Sequence, residues 1–336
     1  MATDLTNGSV VLSVPKAQSE ATPSSIVNDG ISLHTIARAE ALPPSVSAYL
    51  SAALADNTRR AYRQDLQDFF RWGGVVPCSS ETLATYIADR ATTLSPHTVS
   101  RRVVGISRAH TVQALPDPAK SDLVRTVLRG IRRSHGRPQR QAAPLLTADL
   151  LSLLPLMVGT KGVRDRALLL LGFAAALRRS ELVALDVQDL QVVREGLVVR
   201  LRRSKTDQDG EGRKIAVPLG RTQACPVKAV TQWLEHAQIV AGPVFRSVTK
   251  GGAVSAKRLT DQSVALVVKA YVQAVGLPAA EFSGHSLRAG LVTSAAQAGA
   301  ATHQIMSQSG HRSAEMLNKY IREANLFLNN AAGMVL

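Results

Sequence analysis

The sequence predicts a mainly α-helical fold with a small antiparallel β-sheet, divided into two domains. Three observations lead there. A chain of 336 residues suggests about two domains. Stretch after stretch places apolar residues at helical spacing. Strand-like sequence is confined to Asp186–Arg202, rich in Val and Leu and broken by Arg194-Glu195-Gly196, and to Lys214–Pro218 after a polar loop.

Residues 1–40 are rich in Ser, Thr, Ala and Asn, without sustained periodicity, and read as a mobile tail. A first domain, residues 41–132, is predicted to hold five helices. These are Val46–Ala55, Thr58–Trp72, Ser80–Arg90, a fourth from Ser95-Pro96 to about Val112, and Asp122–Ser134. Ser95 followed by Pro96 is an N-cap with proline at the first helical position. In the last of them Leu123, Val127, Leu128 and Ile131 recur at helical spacing. Residues 133–143 follow as a linker, with Gly136, Pro138 and several arginines but no apolar face, placed to cross a phosphate backbone.

The second domain, residues 144–336, opens with helices at Thr147–Leu154 and Val163–Leu177. After the hairpin and third strand, helices return at Pro226–Val240, Thr260–Val275, Ser286–Ala298, Thr302–Gln308 and Ala314–Tyr320. A final helix, about residues 324–332, carries Leu326, Phe327 and Leu328.

Lys+Arg outnumber Asp+Glu by 40 to 25, a net charge of +15. Such an excess favours a polyanionic partner, because each neutralised phosphate releases condensed counterions. Two cysteines, Cys78 and Cys225, are too few for a disulfide framework and form no CxxC pattern. The N-terminus lacks a signal-peptide pattern, and the longest apolar run, Ala167–Leu177, falls short of a membrane span. These features predict a cytoplasmic protein without a membrane partner.

Three stretches set polar residues inside apolar helices. Leu177-Arg178-Arg179-Ser180-Glu181-Leu182 ends the most hydrophobic helix, with Arg178 and Glu181 three residues apart. His285-Ser286-Leu287-Arg288 sets His and Arg at the start of another helix, where an anion is favoured. Gly310-His311-Arg312-Ser313 precedes Tyr320, nine residues beyond the histidine. Arginine supplies planar bidentate donors to a phosphodiester, and preorganised cations stabilise the charge that a pentacoordinate transition state gains. A phenol, with a reference pKa of about 10, needs a base or a strong positive field to attack. Two arginines, two histidines and a tyrosine meet those needs with no metal and no cofactor. The sequence also lacks GxxxxGK[ST].

The ordered set R-x-x-E-L, a lysine in a hairpin loop, H-x-x-R, G-H and Y resembles the tyrosine recombinase, or phage integrase, family across roughly residues 45–325. Gly284 to Gly290, Ala298-Gly299, Ile305-Met306 and Lys319-Tyr320-Ile321-Arg322 resemble its Cre-like members in particular. The resemblance implies a DNA strand transferase that exchanges strands through a Holliday junction. Arg178 and Arg288 would grip the scissile phosphate, and Glu181 would orient the cluster. His285 would accept or relay the tyrosine proton, and His311 would hydrogen-bond a non-bridging oxygen. His311 departs from the Cre-like members, which carry Trp there. Lys205 would protonate the leaving 5′-oxygen, with Lys214 as the rival lysine. Tyr320 would attack, leaving a 3′-phosphotyrosyl link.

The resemblance further implies a helical core-binding domain and a catalytic domain forming a C-shaped clamp around DNA. Arg59, Arg63, Arg101 and Arg102 from the first domain, Arg137 in the linker, and Lys257 and Arg258 from the second would face the duplex. The target would carry an inverted repeat. Protomers, monomeric or weakly associated when free, would form a homotetramer on two sites by docking the last helix in trans. A bacterial, nucleoid-associated location goes with this. A type IB topoisomerase or telomere resolvase shares the chemistry, and a DNA-binding regulator with a decayed site is the alternative of another class.

Overall fold

The computed structural model describes residues 56–136, 141–202, 212–315, 317, 318 and 320. The predicted tail, the helix at 46–55, Arg137, Lys205 and the helix at 324–332 lie outside them. The chain forms two compact units, residues up to 139 and from 140 on.

The first unit holds four described helices: α1 (Asp56–Trp72), α2 (Ser80–Arg90), α3 (Pro96–Val112) and α4 (Asp122–His135). Ser79, Ser95 and Ser121 cap the last three, each hydroxyl accepting from a backbone N–H of the first turn. Leu66, Phe69, Leu83, Tyr86, Ile87, Val99, Ile106 and Val124 build the core. Phe69 meets the Tyr86 ring edge-on at 5.0 Å. α4 keeps its helical course through Arg132–His135, so the predicted linker starts later than residue 133.

Two of the predicted DNA-facing arginines turn inward. Arg101 donates twice to the buried carboxylate of Asp65, at 3.0 and 2.8 Å. The Arg102 side chain, 14% exposed, donates to Asp68 and to the Tyr86 hydroxyl. Asp68 also accepts from Tyr86 and Arg90, both at 2.9 Å. A buried carboxylate without a cation is costly, so these guanidiniums answer α1. Arg102 is thereby a structural residue, and Arg101 is half committed to Asp65. Arg59 and Arg63 stay exposed.

In the second unit α5 (Thr147–Leu153) passes into a tight 3₁₀ turn at Leu154–Leu156, where Pro155 cannot continue the α-helix. Next come α6 (Gly159–Ala174), α7 (Arg179–Ala184), β1 (Leu190–Val193), β2 (Gly196–Leu201) and β3 (Arg213–Pro218). Then follow α8 (Pro226–His236), β4 (Arg246–Val248), β5 (Val254–Arg258), α9 (Asp261–Ala274), α10 (Ser286–Gln297) and α11 (Thr302–Ser309). The described residues from 314 to 320 are helical.

β1, β2 and β3 form an antiparallel sheet in that order. Its inner face is Leu197, Val199, Leu201, Ile215 and Val217. α6 is the central helix, with Ala167 through Leu171 all buried. Trp233 of α8 packs against it and donates its indole N–H to the Val244 carbonyl at 2.8 Å. β4 and β5 form a second, two-stranded sheet where a single sheet was expected. Among the described residues no helix is long and apolar enough to cross a membrane.

α10 lies against the incoming chain at its first two turns. Leu145 N–H donates to the Ser286 carbonyl at 3.0 Å. A Cβ on Gly290 would stand 1.9 Å from the Leu145 carbonyl oxygen, so only glycine allows this approach. Gly290→Ala should therefore destabilise the second unit by about 3 kcal/mol. A thermal melt should show a fall in Tm of roughly 6–12 °C. An unchanged Tm would show that the contact is not tight.

Candidate active site

α6 is long and apolar, and it stops short of the predicted Leu177. Ala176 takes φ +48°, breaking the helix, and the buried Leu177 follows. Arg178 is thus not the end of that helix but the N-cap of α7. Glu181 sits in the first turn of α7 and returns to it. Its carboxylate accepts from the Arg178 backbone N–H at 2.9 Å and from Arg178 Nη1 at 2.6 Å. The Glu181 side chain is almost wholly buried, where a helix N-terminus favours its charge. Neighbouring Arg179 points elsewhere, to Asp261 at 3.1 Å.

Arg288, in the first turn of α10, is 1% exposed. Its Nη1 donates to the Ala176 carbonyl at 2.8 Å, while Nη2 is buried without a hydrogen-bond partner. A buried guanidinium N–H left unmet is costly, and an anion oxygen would satisfy it. Burial first, then the Arg178 cation, holds the Arg288 pKa down at about 10. A third guanidinium joins them. Arg213, at the start of β3, donates from Nη1 to the Ser307 and Gln308 carbonyls at 3.2 and 3.3 Å, at the end of α11. Burial and Arg178 lower its pKa, and Glu181 opposes this.

His285 occupies the position just before α10, and its Nε2 lies 3.1 Å from the Tyr320 hydroxyl. Burial, then Arg288 and Arg178, depress its pKa, so the ring is neutral near pH 7 and can accept a proton. His311 follows Gly310, whose left-handed φ of +68° ends α11. A Cβ on Gly310 would sit 2.2 Å from Arg213 Nη1, so this glycine also makes room for the arginine. The His311 ring lies 6.4 Å from that of Tyr320. Its pKa is pushed from 6.5 to about 4 by burial, then by Arg288, Arg178, His285 and Arg213.

The structure therefore brings Arg178, Glu181, His285, Arg288, His311 and Tyr320 to one place. Arg213 and Gln308 were not singled out from the sequence. Gln308 donates to the Ala174 carbonyl at 2.7 Å and to that of Ala216 at 3.2 Å, tying α11 to α6 and β3. Lys214 is exposed on β3, and Lys257 is exposed on β5. Arg258 needs correction as a DNA-facing residue. Its guanidinium donates to the Val183 and Leu185 carbonyls at 2.6 and 3.1 Å and to Asp186 at 2.5 Å, clamping the end of α7.

Chemically this is a hydroxyl beside a neutral imidazole, inside a cluster of desolvated cations. Among the described residues no group of His, Cys, Asp and Glu could hold a metal ion.

The family model described as the phage integrase family matches residues 145–326. An integrase/recombinase XerD homologue of Selenomonas ruminantium is 42% identical over 293 residues, covering 84% of this chain and 86% of the relative. The Cre recombinase of Escherichia phage P1 is 25% identical over 268 residues, covering 73% and 76%. Among solved structures, the fold is similar to XerH site-specific recombinase bound to palindromic difH substrate, with TM-score 0.59 and 18% identity over 83% of this chain and 79% of that one. A λ integrase dimer bound to a COC′ core site gives TM-score 0.59 and 15% identity over 86% and 77%.

The electrostatics make a direct prediction. Arg178→Met removes a cation that opposes protonation of both histidines, so the His285 and His311 pKa values should rise, His311 above about 4. Ring NMR titration reads this, and unchanged values would show that Arg178 does not govern the site. The unfolded His311 takes its proton first, so the contribution of this residue to native stability is full above about pH 6.5 and is lost as pH drops towards about 4.

Proposed function

The chain belongs to the phage integrase family of tyrosine recombinases, enzymes that cut and rejoin DNA, and on that premise we propose that Tyr320 is its nucleophile. The observation that carries this reading is the Tyr320 hydroxyl 3.1 Å from His285 Nε2, beside the unpartnered, buried Nη2 of Arg288. The scissile phosphate takes the place between these groups. Arg178 and Arg288 hold its non-bridging oxygens, and Glu181 keeps Arg178 aimed. Tyr320 passes its proton to His285 as its oxygen bonds to phosphorus and the bond to the 5′-oxygen breaks. The products are a 3′-phosphotyrosyl link and a 5′-oxygen that Lys205 protonates. The arginines stabilise charge that grows in the transition state.

Strand exchange then passes through a Holliday junction between two copies of an inverted-repeat site. Arg59, Arg63, Arg137 and Lys257 supply phosphate contacts, with Arg101 contributing only as far as Asp65 leaves it. Four protomers assemble on the two sites, each docking its segment at 324–332 on a neighbour. Native-gel mobility with one-site and two-site DNA, using protein truncated after Arg322, tests this last step. Loss of pairing with binding kept supports docking in trans; unimpaired pairing refutes it.

Tyr320→Phe should bind target DNA as the parent does and form no covalent adduct on nicked duplex, a loss of at least about 10⁴-fold in cleavage. Denaturing gel electrophoresis of the trapped complex measures it. An adduct formed by Tyr320→Phe would remove the assignment.

A further inference from the structure

We propose that Ser309 is a positioning residue that keeps the His311 proton on Nδ1, so that His311 can donate to a bound phosphodiester only as the imidazolium and the site takes up one proton when the phosphate arrives. The inference rests on the phosphate reading given above for the arginine cluster.

Ser309 is fully buried. Its Oγ lies 2.6 Å from the Ile305 carbonyl oxygen and 2.7 Å from His311 Nδ1. A hydroxyl has one proton and the carbonyl can only accept, so that proton points to Ile305. Oγ then faces Nδ1 with a lone pair, and Nδ1 must be the donor. This arrangement makes two hydrogen bonds. Turning the hydroxyl towards Nδ1 would make one, since the Ile305 contact would lapse. In the favoured, neutral state the remaining ring nitrogen, Nε2, is a bare acceptor. A lone pair facing a phosphate oxygen repels it, so donation there requires protonation at Nε2 with the Nδ1–H bond kept.

The groups around the ring decide when that happens. Arg288 on α10, Arg178 at the start of α7, Arg213 on β3 and His285 before α10 all oppose a further positive charge, and burial acts the same way. Tyr320 lies across the ring, and Glu181 is the carboxylate of the cluster. Free His311 is therefore neutral. A phosphodiester brings a negative charge to those cations and reverses the balance, and the proton comes from solvent. The two histidines then divide the work: the charge on His311 opposes a second proton on His285, which accepts from Tyr320, while His311 donates.

The test has two arms. In free protein labelled with ¹⁵N at histidine, the ring shifts of His311 at pH 7 should report the Nδ1–H tautomer; an Nε2–H tautomer overturns the proposal without any variant being made. In the second arm, Tyr320→Phe protein and the same protein carrying Ser309→Ala are titrated with a duplex selected by binding from a random-sequence pool. Calorimetry in buffers of different ionisation enthalpy counts protons. With Ser309 present, uptake should be close to one proton, and affinity should fall about tenfold per pH unit from about pH 5 to 7. Ser309→Ala frees the ring to adopt the Nε2–H tautomer, so uptake should vanish and the pH slope flatten. Equal uptake in both proteins, or none in either, overturns the proposal. If no duplex is selected and parent protein forms no covalent adduct, it is the recombinase reading of the site that fails, whatever the tautomer of free His311.

Discussion

Three guanidiniums, two of them desolvated by burial, share one carboxylate in the second unit. Arg178, Arg213 and Arg288 converge, and Glu181 is the acid whose charge answers theirs. Burying cations without matching anions is expensive, and a protein optimised for stability alone would pair or remove them. The unmet Nη2 of Arg288 is the atom to which the proposed phosphate would bring an acceptor. An excess of roughly two positive charges suits a phosphodiester that carries about one negative charge and gains another in the transition state. The site is thus complementary to the reaction rather than to its own ground state.

The rest of the fold serves that constraint. α6 has to stop where it does, because the carbonyls at its end and just beyond it hold Gln308 and Arg288: Ala174 accepts from the glutamine and Ala176 from the arginine. The left-handed turn at Gly310 lets the chain leave α11 without striking Arg213. The sheet matters mainly as a support, since β3 presents Arg213 and, through Ala216, anchors Gln308. α10 contributes both His285 and Arg288 because it is held close at Leu145 and Gly290. Burial first, then the same arginines, lower the pKa of both histidines, so the imidazole that faces the Tyr320 hydroxyl stays neutral.

Much of this was legible in the sequence, for physical reasons. Ser79, Ser95, Ser121 and Thr260 are caps with local partners, so their helices start where side-chain chemistry says they should. Glu195-Gly196 marks the first hairpin, and the ordered polar set marks the site. What stayed hidden depends on partners far along the chain. Arg102 and Arg258 look like surface cations, yet their acceptors lie 34 and 72 residues away. The break at Ala175–Leu177 carries no Gly or Pro, so an apolar run conceals it. β4 and β5 are too short to show periodicity around Gly251-Gly252. Arg213 is a single polar residue that gains meaning only when β3 reaches the end of α11, and Ser309 is one whose partner is fixed only by the turn that brings His311 back to it.

On the proposed reading these arginines act on the charge of the scissile phosphate. The most direct measurement is a thermodynamic cycle between protein and DNA. Cleavage by the parent and by Arg288→Ala is compared on a phosphodiester and on a neutral methylphosphonate at the scissile position. Arg288→Ala should lose several orders of magnitude on the charged substrate and far less on the neutral one. Equal losses on both would mean that Arg288 supports the fold and not the chemistry.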